Sequence, residues 1–432
     1  MPEPKMGLFR HPVVVAFMAI IAAIEFIRMS LFITFLPSFM TSLHFTTVAI
    51  GFVISANLFT DNFSKSAVGW LVDHRGPWPV LLAGSITVLL GVILIINFHS
   101  NLFYLIIAAI LIGLGVAPTW PAAIAGSIQT VGEEKRATII SIISVVWLSG
   151  GGLGPVLMGF LIDTRMRKLL TNLGMPPINA YKTGLIILLA VAILAVIICV
   201  LGLISWLKTP HLQTANLNLN TGERETHRIQ DILKRLWKVK GLLPGMFVQT
   251  LSLGMLMPNL LPYATGILGL SEAQYSSLLL IGGVFVVLFM IPVGHIADKR
   301  GSRGFLVTGF ALAAVTLFVM VYYGNASNIW YIVGFVGLSY ALIQPAWNAL
   351  LAGAIPPGQR GVLMGLFMSV EGLGFAFGPM LGGFLGSLQK AELGIIGKMG
   401  SATPFYASSV LLLIMAFVYL FYPFHVYQIE ET

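Results

Sequence analysis

The sequence predicts an all-α membrane protein with twelve transmembrane helices in two pseudo-symmetric six-helix bundles. The first observation is composition: 57% of the 432 residues are hydrophobic and only 9% are charged, whereas soluble domains carry about 25% charged residues. The second is length, because twelve spans of about 20–22 residues fit the chain and leave the rest for loops and tails. The third is an internal repeat that relates the two halves of the chain.

Twelve apolar windows bounded by Gly, Pro, Asn and charged residues mark the spans. The first window is too long for the core of a secretory signal, so we expect it to be an uncleaved span. Cys199 is the single cysteine, which rules out an intramolecular disulfide. The windows are residues 13–38, 45–68, 78–97, 102–127, 137–162, 182–207, 241–265, 274–297, 304–323, 328–353, 361–386 and 402–425.

The distribution of Lys and Arg predicts how the spans are oriented. With both termini in the cytoplasm, 16 of the 24 basic residues fall on cytoplasmic segments and 6 on outside segments. The net charge of +8 is therefore a topology signal, and we expect no nucleic-acid partner. These counts predict a multi-pass protein of the plasma membrane. The outside loop 163–182 is unusually basic and departs from the rule.

The longest polar segment divides the spans six plus six. It predicts an N-terminal bundle at residues 1–207, a cytoplasmic linker at 208–240 and a C-terminal bundle at 241–432. The end of the linker, Ile229–Trp237, has apolar residues at helical spacing opposite basic ones. Such a pattern is typical of an amphipathic helix at the membrane surface. A linker that merely rests on the lipid headgroups is the alternative.

The two halves of the chain match at a nearly constant offset. The motif GxxxDxRG follows span 2 and recurs after span 8. A duplicated six-helix unit is the sequence sign of a transporter that rocks two bundles about a central site. The matched residues are Gly69, Asp73 and Arg75 with Gly294, Asp298 and Arg300 at a shift of 225, and Arg136 with Arg360, Gly154 with Gly378 and Pro155 with Pro379 at a shift of 224.

Twelve spans, the six-plus-six repeat and this motif together resemble the major facilitator superfamily over the whole chain. The resemblance implies that the acidic and basic residues of the motif form a charge latch on the cytoplasmic gate, to which we also assign Arg136 and Arg360. Positive-inside turns alone would explain the arginines but not the matched Gly and Asp. The stretches around Gly154 and Gly378 resemble the antiporter motif of the family, which accompanies exchange for protons. Close helix packing alone is the alternative.

Ionisable residues inside the spans predict a functional site. An ionised group at a span centre costs about 2.5–3.5 kcal/mol on insertion scales, yet Glu25 and Arg28 share a face of span 1, and Asp61 lies within span 2. We expect these three to line a water-filled cavity. Burial disfavours the ionised carboxylate and Arg favours it, so such a group can exchange a proton. A static ion pair is the alternative, and we expect Lys65 to snorkel to the interface.

Aromatic and amide residues beside broken helices are candidate contacts for a substrate. Trp120 lies between two prolines in span 4, where the helical hydrogen bonds are interrupted. An exposed indole there can stack on a sugar ring, although packing and interface anchoring are the commoner uses of Trp. The predicted substrate contacts are Glu25, Arg28, Trp120, Trp147, Gln344, Trp347 and Asn348.

The intramembrane charges are distributed unequally between the halves. The N-terminal half holds several, whereas the C-terminal half has Glu371 alone among apolar residues. A site that is polar on one side and apolar on the other suits an amphiphile, with its head on the first bundle and its tails on the second. Glu371 is then either a second proton site or a sign of preference for cationic substrates.

One branch of the superfamily resembles the sequence more closely, namely the flippases for the glycolipid anchor of lipoteichoic acid. In that branch a proton-coupled carrier moves diglucosyl diacylglycerol, and the headgroup site would correspond to Glu25, Arg28, Asp61, Trp120 and Trp147. Glu371 departs from the branch, where a neutral amide is expected. The stretches that match are Glu25–Arg28, Phe35–Pro37, Leu242–Gly245, Pro262–Thr265, Pro345–Asn348 and Gly378–Pro379.

The sequence therefore predicts a secondary transporter that works by alternating access, with proton coupling at Glu25, Asp61 and Glu371. A proton-coupled multidrug exporter of the same fold is the closest alternative. A membrane-embedded enzyme or sensor is the alternative from another class, but no nucleophile–base pair, metal cluster or Walker motif occurs. We expect no metal, no cofactor and no partner besides a small-molecule or lipid substrate, protons and the bilayer, with the monomer as the functional state.

Overall fold

Every secondary-structure element in the described part of the chain is a helix. A computed structural model describes residues 12–131, 136–163, 168, 172, 179–208, 241–354, 360–388, 400 and 402–422. Within these residues the chain forms twelve membrane helices and no β-strand, which confirms the predicted all-α class and the number of spans.

The twelve helices follow the predicted windows in order, and most ends lie within a few residues of the window ends. The first six are α1 (Pro12–Ser42), α2 (Thr47–Arg75), α3 (Pro77–Phe98), α4 (Leu102–Val116 followed by Thr119–Val131), α5 (Arg136–Ile162) and α6 (Ala180–Leu207). The second six are α7 (Leu243–Pro262, continued by Tyr263–Ile267), α8 (Glu272–Arg300), α9 (Ser302–Tyr323), α10 (Ile329–Ala354), α11 (Arg360–Ser387) and α12 (Thr403–Phe421).

The end of α2 differs most from its window. The predicted span ends at residue 68, whereas the helix continues to Arg75. The window stops early because the motif that follows is polar, but polarity does not end a helix. Basic side chains in the last turn, His74 and Arg75, suit the negative end of the helix dipole. Gly76 then terminates the helix.

Both copies of the repeated motif end in the same backbone turn. Gly76 has φ 85° and ψ 163° between α2 and α3, and Gly301 has φ 86° and ψ 146° between α8 and α9. This conformation is open to glycine and strained for any residue with a side chain. The last position of GxxxDxRG is therefore glycine because one residue must join two membrane helices there.

Nine helices in the described part of the chain are long and apolar enough to cross a membrane. The remaining three, α2, α7 and α11, carry polar side chains within their spans. These include Asp61 in α2, Gln249 and Asn259 in α7, and Glu371 in α11. Because polar residues in spans are costly and mark functional positions, these side chains are candidate site residues.

Three helices depart from α-helical geometry along their length. A π-helical segment, Ser30–Phe35, lies within α1, and another, Tyr263–Ile267, ends α7. α4 is interrupted at Pro118, which has no amide hydrogen to donate. The hydroxyl of Thr119 donates to the Val116 carbonyl at 2.7 Å and satisfies one of the carbonyls freed by the break.

The chain divides into two compact units, residues 1–39 with 56–225 and residues 40–55 with 226–432. The start of α2 thus belongs to the second unit and its remainder to the first. Apart from Lys208, the predicted linker at residues 208–240 lies outside the described residues, and so does its predicted amphipathic helix. The division into two bundles and a linker at those boundaries stays a prediction.

In the first unit, glycines of α5 allow close packing on α1. A Cβ built on Gly150 would lie 2.7 Å from the Ala22 carbonyl oxygen, and one on Gly154 would lie 2.7 Å from the Phe26 carbonyl oxygen. Real side chains do not approach a backbone oxygen so closely. The two helices can therefore pack at this distance only if both positions are glycine. Pro155 follows directly inside α5.

The matching pair in the second unit is α7 and α11. A Cβ on Gly374 would lie 2.5 Å from the Phe247 carbonyl oxygen, and one on Gly378 would lie 2.7 Å from the Leu251 carbonyl oxygen. Both carbonyls lie 225 residues after their counterparts in α1, and both glycines lie 224 residues after theirs in α5. The repeat therefore extends to individual packing contacts, and it fixes which residues of the two halves correspond.

Within the second unit, α11 also packs against the start of α2. The hydroxyl of Ser55 accepts a hydrogen bond from the Met380 amide at 2.9 Å, and Thr47 donates to the Gly383 carbonyl at 3.2 Å. A Cβ on Gly51 would lie 2.2 Å from the Pro379 carbonyl oxygen. The Gly378 and Pro379 stretch is thus packed on two sides.

Tyr419 ties the last helix to the beginning of α7. Its side chain is fully buried, and its hydroxyl accepts from the Gly245 amide at 2.9 Å and donates toward the Gly241 and Leu242 carbonyls at 3.1 Å and 3.2 Å. A Cβ on Gly245 would lie 2.2 Å from that hydroxyl oxygen. Gly245 is therefore glycine because any side chain there would overlap the Tyr419 hydroxyl.

We predict that Tyr419→Phe lowers the free energy of unfolding by about 1–2 kcal/mol, because buried amide and carbonyl groups lose their partner. Gly245→Ala should also destabilise the protein, since the added methyl group overlaps the Tyr419 hydroxyl. Thermal unfolding in detergent measures both effects. Tyr331→Phe is the control, because Tyr331 is 76% exposed and its Tm should not change. Equal Tm values for Tyr419→Phe and the wild type would contradict the prediction.

Candidate functional site

Four charged side chains of α1 and α2 form one connected network within the first unit. Arg28 donates from Nε at 3.0 Å and from Nη2 at 2.7 Å to Glu25 Oε2, and from Nη1 at 3.2 Å to Asp61 Oδ2. Lys65 Nζ lies 3.2 Å from the same Asp61 oxygen. Arg28 therefore bridges two helices through two carboxylates, and the three residues predicted to act together do lie together.

Three members of this network are buried and the fourth is half-exposed. The exposed fraction is 2% for Glu25, 8% for Arg28 and 3% for Asp61, whereas the Lys65 side chain is 48% exposed. Two acids face two bases, so the network is formally neutral. Leaving one buried charge without its partner typically costs about 3–5 kcal/mol, and this balance is what makes the burial tolerable.

Packing between α2 and α4 orients Asp61. A Cβ on Gly113 of α4 would lie 2.5 Å from the Asn57 carbonyl oxygen and 3.1 Å from the Asp61 backbone nitrogen. The Asn57 side chain donates to the Ala109 carbonyl at 3.1 Å. With the backbone of α2 held directly against α4, the Asp61 side chain is left facing α1 and Arg28.

Several buried side-chain oxygens of the first unit have no hydrogen-bond partner among the described residues. They are Asp61 Oδ1, the hydroxyls of Ser30 and Thr34 in the π-helical segment of α1, and the hydroxyl of Ser127 in α4. Buried polar atoms are normally partnered, and π-helical segments frequently occur at functional sites. Asp61 stands out because both cations bind one oxygen of its carboxylate and neither binds the other.

The two tryptophans predicted as headgroup contacts lie side by side. The Trp120 and Trp147 rings have centroids 6.3 Å apart in an edge-to-face arrangement, and both side chains are partly exposed. Trp147 lies one helical turn before Gly150, whose Cβ position falls against Ala22 of α1. The pair thus belongs to the same unit as the charged network and presents aromatic surface that the core does not cover.

The network has no charged counterpart in the second unit. The shift of 225 that relates both the α1 contacts and the repeated motif places Thr250, Leu253, Val286 and Met290 at the positions of Glu25, Arg28, Asp61 and Lys65. Three of these side chains are apolar, and the Thr250 hydroxyl donates to carbonyls of its own helix. Equivalent positions are thus charged in one unit and essentially apolar in the other.

Trp347, predicted as a substrate contact, lies in the core of the second unit. It is fully buried, its Nε1 donates to Gln249 Oε1, and its ring packs edge-to-face on Phe310 and Tyr419 at 6.3 Å and 5.9 Å. In this conformation no face of the indole is available to a substrate. The indole N–H instead provides a hydrogen-bond donor for the buried side-chain oxygen of Gln249.

Gln344 and Glu371 occupy the repeat positions of the two tryptophans of the first unit. The shift of 224 relates Trp120 to Gln344 and Trp147 to Glu371. Both second-unit side chains are partly exposed, and Glu371 interacts electrostatically with Tyr340 of α10. The side chain of the neighbouring Asn348 lies outside the described residues.

The predicted latch is described only in part. Asp73 and Arg75 are exposed at the end of α2, and a Cβ on Gly69 would have no neighbour within 4 Å, while one on Gly294 would lie 3.6 Å from Pro345 Cβ. Close packing in this conformation therefore does not explain the first glycine of either motif. The side chains of Arg136, Asp298, Arg300 and Arg360 lie outside the described residues, and the latch stays a prediction.

Two participants in these contacts were not assigned a role from the sequence. Lys65 was expected to extend to the interface, yet it bonds Asp61; its i, i+4 spacing from that acid was the available signal. Gln249 binds Trp347 from 98 residues away, and no local pattern could indicate that pairing. Among the residues that the structure describes, no group of His, Cys, Asp or Glu side chains is arranged to hold a metal ion.

The repeated architecture matches a known family. The model of the Major Facilitator Superfamily matches residues 18–248 and 242–428. This chain belongs to that superfamily. Membership makes it a transporter rather than an enzyme, with a small-molecule or lipid substrate, and a multi-pass protein of the plasma membrane.

Relatives of this superfamily member cover nearly its whole length. It is 26% identical over 370 residues to the proton-coupled antiporter flippase LtaA of Staphylococcus haemolyticus strain JCSC1435, covering 85% of this chain and 83% of the relative. An inward-facing, unoccupied bacterial homologue of the human lysosomal transporter Spinster superposes with a TM-score of 0.76 at 14% identity, over 98% of this chain and 99% of that one. The inward-open xylose transporter XylE from E. coli gives 0.64 at 14% identity, over 96% and 97%. The last two show the fold alone.

We predict that Arg28→Met lowers the free energy of unfolding by about 3–5 kcal/mol, because it leaves two buried carboxylates without their shared cation. The triple variant Glu25→Gln, Arg28→Met and Asp61→Asn should regain most of this loss, since no buried charge then remains unpaired. Thermal unfolding in detergent at neutral pH measures both. A single variant as stable as the wild type would show that the network is solvated rather than buried.

Proposed function

We propose that this superfamily member is a proton-coupled antiporter that works by alternating access and flips a glycolipid or a similar amphiphile across the membrane. The observation that carries the proposal is the contrast between repeat-related positions, four charged residues in the first unit against Thr250, Leu253, Val286 and Met290 in the second. A polar unit suits the headgroup of an amphiphile, and an apolar unit suits its tails. The name of the staphylococcal relatives, proton-coupled antiporter flippase, supports the same function.

Glu25 and Asp61 are the proposed proton-coupling acids. Both carboxylates are buried, and both accept hydrogen bonds from the same cation, Arg28. A carboxylate that loses a cationic partner is more readily protonated. Access of water or of substrate to the network therefore decides whether a proton is bound, and that is the requirement for coupling.

Trp120 and Trp147 are the proposed stacking surfaces for the headgroup. Their edge-to-face arrangement leaves two partly exposed aromatic faces at an angle, and sugar rings stack on such faces through their C–H groups. Glu25 and Arg28 would supply hydrogen bonds to hydroxyl groups. The substrate class is thus a sugar-bearing lipid rather than an apolar compound.

Orientation and gating complete the proposal. The basic residues predict cytoplasmic termini, and the repeated motif predicts the latch of the cytoplasmic gate, with Gln344 and Asn348 as further substrate contacts. The monomer is the proposed functional unit. The latch residues are Gly69, Asp73, Arg75, Arg136, Gly294, Asp298, Arg300 and Arg360.

A multidrug exporter is the second candidate, and Glu371 favours it. This acid is partly exposed on α11, and no basic side chain bonds it among the described residues. Such a carboxylate suits an organic cation or serves as a second proton site. Export of a cationic dye that depends on Glu371, with no movement of glycolipid, would select this function.

Purified protein in vesicles distinguishes these candidates. The vesicles contain fluorescently labelled diglucosyl diacylglycerol, and a membrane-impermeant quencher reports the leaflet that the label occupies. An imposed pH gradient should accelerate transfer between leaflets, and transfer down a lipid gradient should move protons the opposite way. Label that stays in its leaflet under every gradient excludes a flippase of this lipid.

We predict that Glu25→Gln and Asp61→Asn each abolish the acceleration by a pH gradient, because the variant side chains cannot bind and release a proton. Some ungated transfer remains, since binding of the lipid does not require the proton. Glu272→Gln is the matched control, because Glu272 lies in the first turn of α8 and should leave coupling intact. Proton-driven transfer that survives both substitutions would show that the acids are a static pair.

We predict that Trp120→Ala weakens apparent affinity for the labelled glycolipid by up to about tenfold, since a stacking contact of an aromatic ring is worth about 0.5–1.5 kcal/mol. The maximal rate should change less, because the ring touches bound substrate and not the proton. Trp70→Ala is the control, since Trp70 is 58% exposed near the end of α2. Equal losses for both variants would point to a general effect of tryptophan removal.

A further inference from the structure

The two oxygens of the Asp61 carboxylate have different partners. Oδ2 accepts from Arg28 Nη1 at 3.2 Å and pairs with Lys65 Nζ at 3.2 Å. Oδ1 is buried and has no hydrogen-bond partner among the described residues. An ionised carboxylate has acceptor capacity at both oxygens, so Oδ1 is where a donor from outside the network can bind.

Lys65 approaches Asp61 from the exposed side of the network. Its side chain is 48% exposed, against 4% for the Asp61 side chain, and Nζ also donates to Asn62 Oδ1 at 3.1 Å. The i, i+4 spacing on α2 brings the ammonium to Asp61 without help from another helix. Arg28 reaches the same oxygen from α1, so two cations from different elements converge on Oδ2.

We propose that Lys65 is a positioning residue: by keeping Oδ2 engaged together with Arg28, it leaves Oδ1 as the atom for which the proton and a hydroxyl group of the cargo compete. The inference rests on the proposed function. When Asp61 is ionised, the cargo hydroxyl donates to Oδ1. When a proton arrives from water, an O–H bond forms at Oδ1 and the charged acceptor is lost.

This competition gives the direction of exchange. The proton removes the negative charge that makes Oδ1 a strong acceptor for the cargo hydroxyl, so the site holds either the proton or the tightly bound cargo. That exclusion is what antiport requires, and a site that bound both would produce symport. The network gains one positive charge with the proton, and half-exposed Lys65 is the member that water can stabilise once its pairing weakens.

The other groups around Asp61 leave this assignment unchanged. Glu25 and Arg28 face it from α1, and Lys65 faces it from α2. Against α4 its neighbour is Gly113, and the ionisable residue of that helix segment, Tyr104, lies at the opposite end. Replacing Lys65 therefore removes one of the two positive charges beside Asp61 and leaves the Arg28–Asp61 contact between α1 and α2 in place.

The experiment compares Lys65→Met, Lys65→Arg and wild type in phosphatidylglycerol vesicles with labelled diglucosyl diacylglycerol. Loss of the cation favours protonated Asp61, so Lys65→Met should shift the pH profile of transfer about one unit to higher pH. On the acidic side of the profile the KM for the labelled lipid should rise up to about tenfold at a given pH, because a one-unit shift changes the ratio of protonated to ionised carboxyl tenfold, with kcat less affected. Raising the pH should restore the KM, and Lys65→Arg should resemble the wild type.

The control is Lys208→Met, because Lys208 is exposed at the end of α6 and touches no part of the network. A Lys65→Met protein that folds, by thermal unfolding, but keeps the wild-type pH profile and KM overturns the inference. A lower kcat with an unmoved pH profile also overturns it, since that indicates a structural role. Wild-type protein that moves no glycolipid in response to a pH gradient instead rejects the proposed function, so the two failures are distinguishable.

Discussion

Arg28 donates to carboxylates on two different helices, and the burial of those carboxylates is tolerable only because it does so. Glu25 and Asp61 are each at most 3% exposed, where an unpaired charge is costly. The guanidinium is suited to this bridge because its rigid fork offers donors in several directions, which the point charge of a lysine does not. Glu25 pairs within its own helix, so the contact with Asp61 is what makes the bridge a link between α1 and α2.

The spans were predictable because hydropathy is a local property: the window at residues 78–97 and the helix Pro77–Phe98 nearly coincide. The repeat was predictable because Gly76 and Gly301 adopt a positive φ that only glycine tolerates without strain. The π-helical segment Ser30–Phe35 was not predictable, since its residue types do not distinguish one hydrogen-bond register from another. The predicted end of α2 was too early because a hydropathy window locates only the apolar part of a helix, and α2 continues beyond it to Arg75.

The candidate site was predictable where its contacts are local and not where they depend on tertiary packing. The pairing of Glu25 with Arg28 was predictable from their i, i+3 spacing. Asp61 was identified because an ionised side chain inside a membrane span is energetically costly. That Asp61 meets Arg28 depends on α2 packing against Gly113 of α4, which a single sequence does not reveal. Periodicity likewise cannot show whether an indole faces a substrate or the core, and the ring of Trp347 lies in the core beside Gln249.

Duplication explains why the two units share their packing and differ in their chemistry. The glycine contacts of α5 on α1 and of α11 on α7 place a Cβ within 3 Å of backbone oxygens, so almost no substitution is tolerated there and both copies keep them. The charges are not duplicated: the positions of Glu25 and Asp61 hold Thr250 and Val286 in the second unit, and the Thr250 hydroxyl oxygen would lie 2.3 Å from a Cβ on Gly374. The shared glycine contacts thus fix the backbone of both units, and the side chains that distinguish the units, charged in the first and largely apolar in the second, are the difference on which the proposed amphiphilic substrate rests.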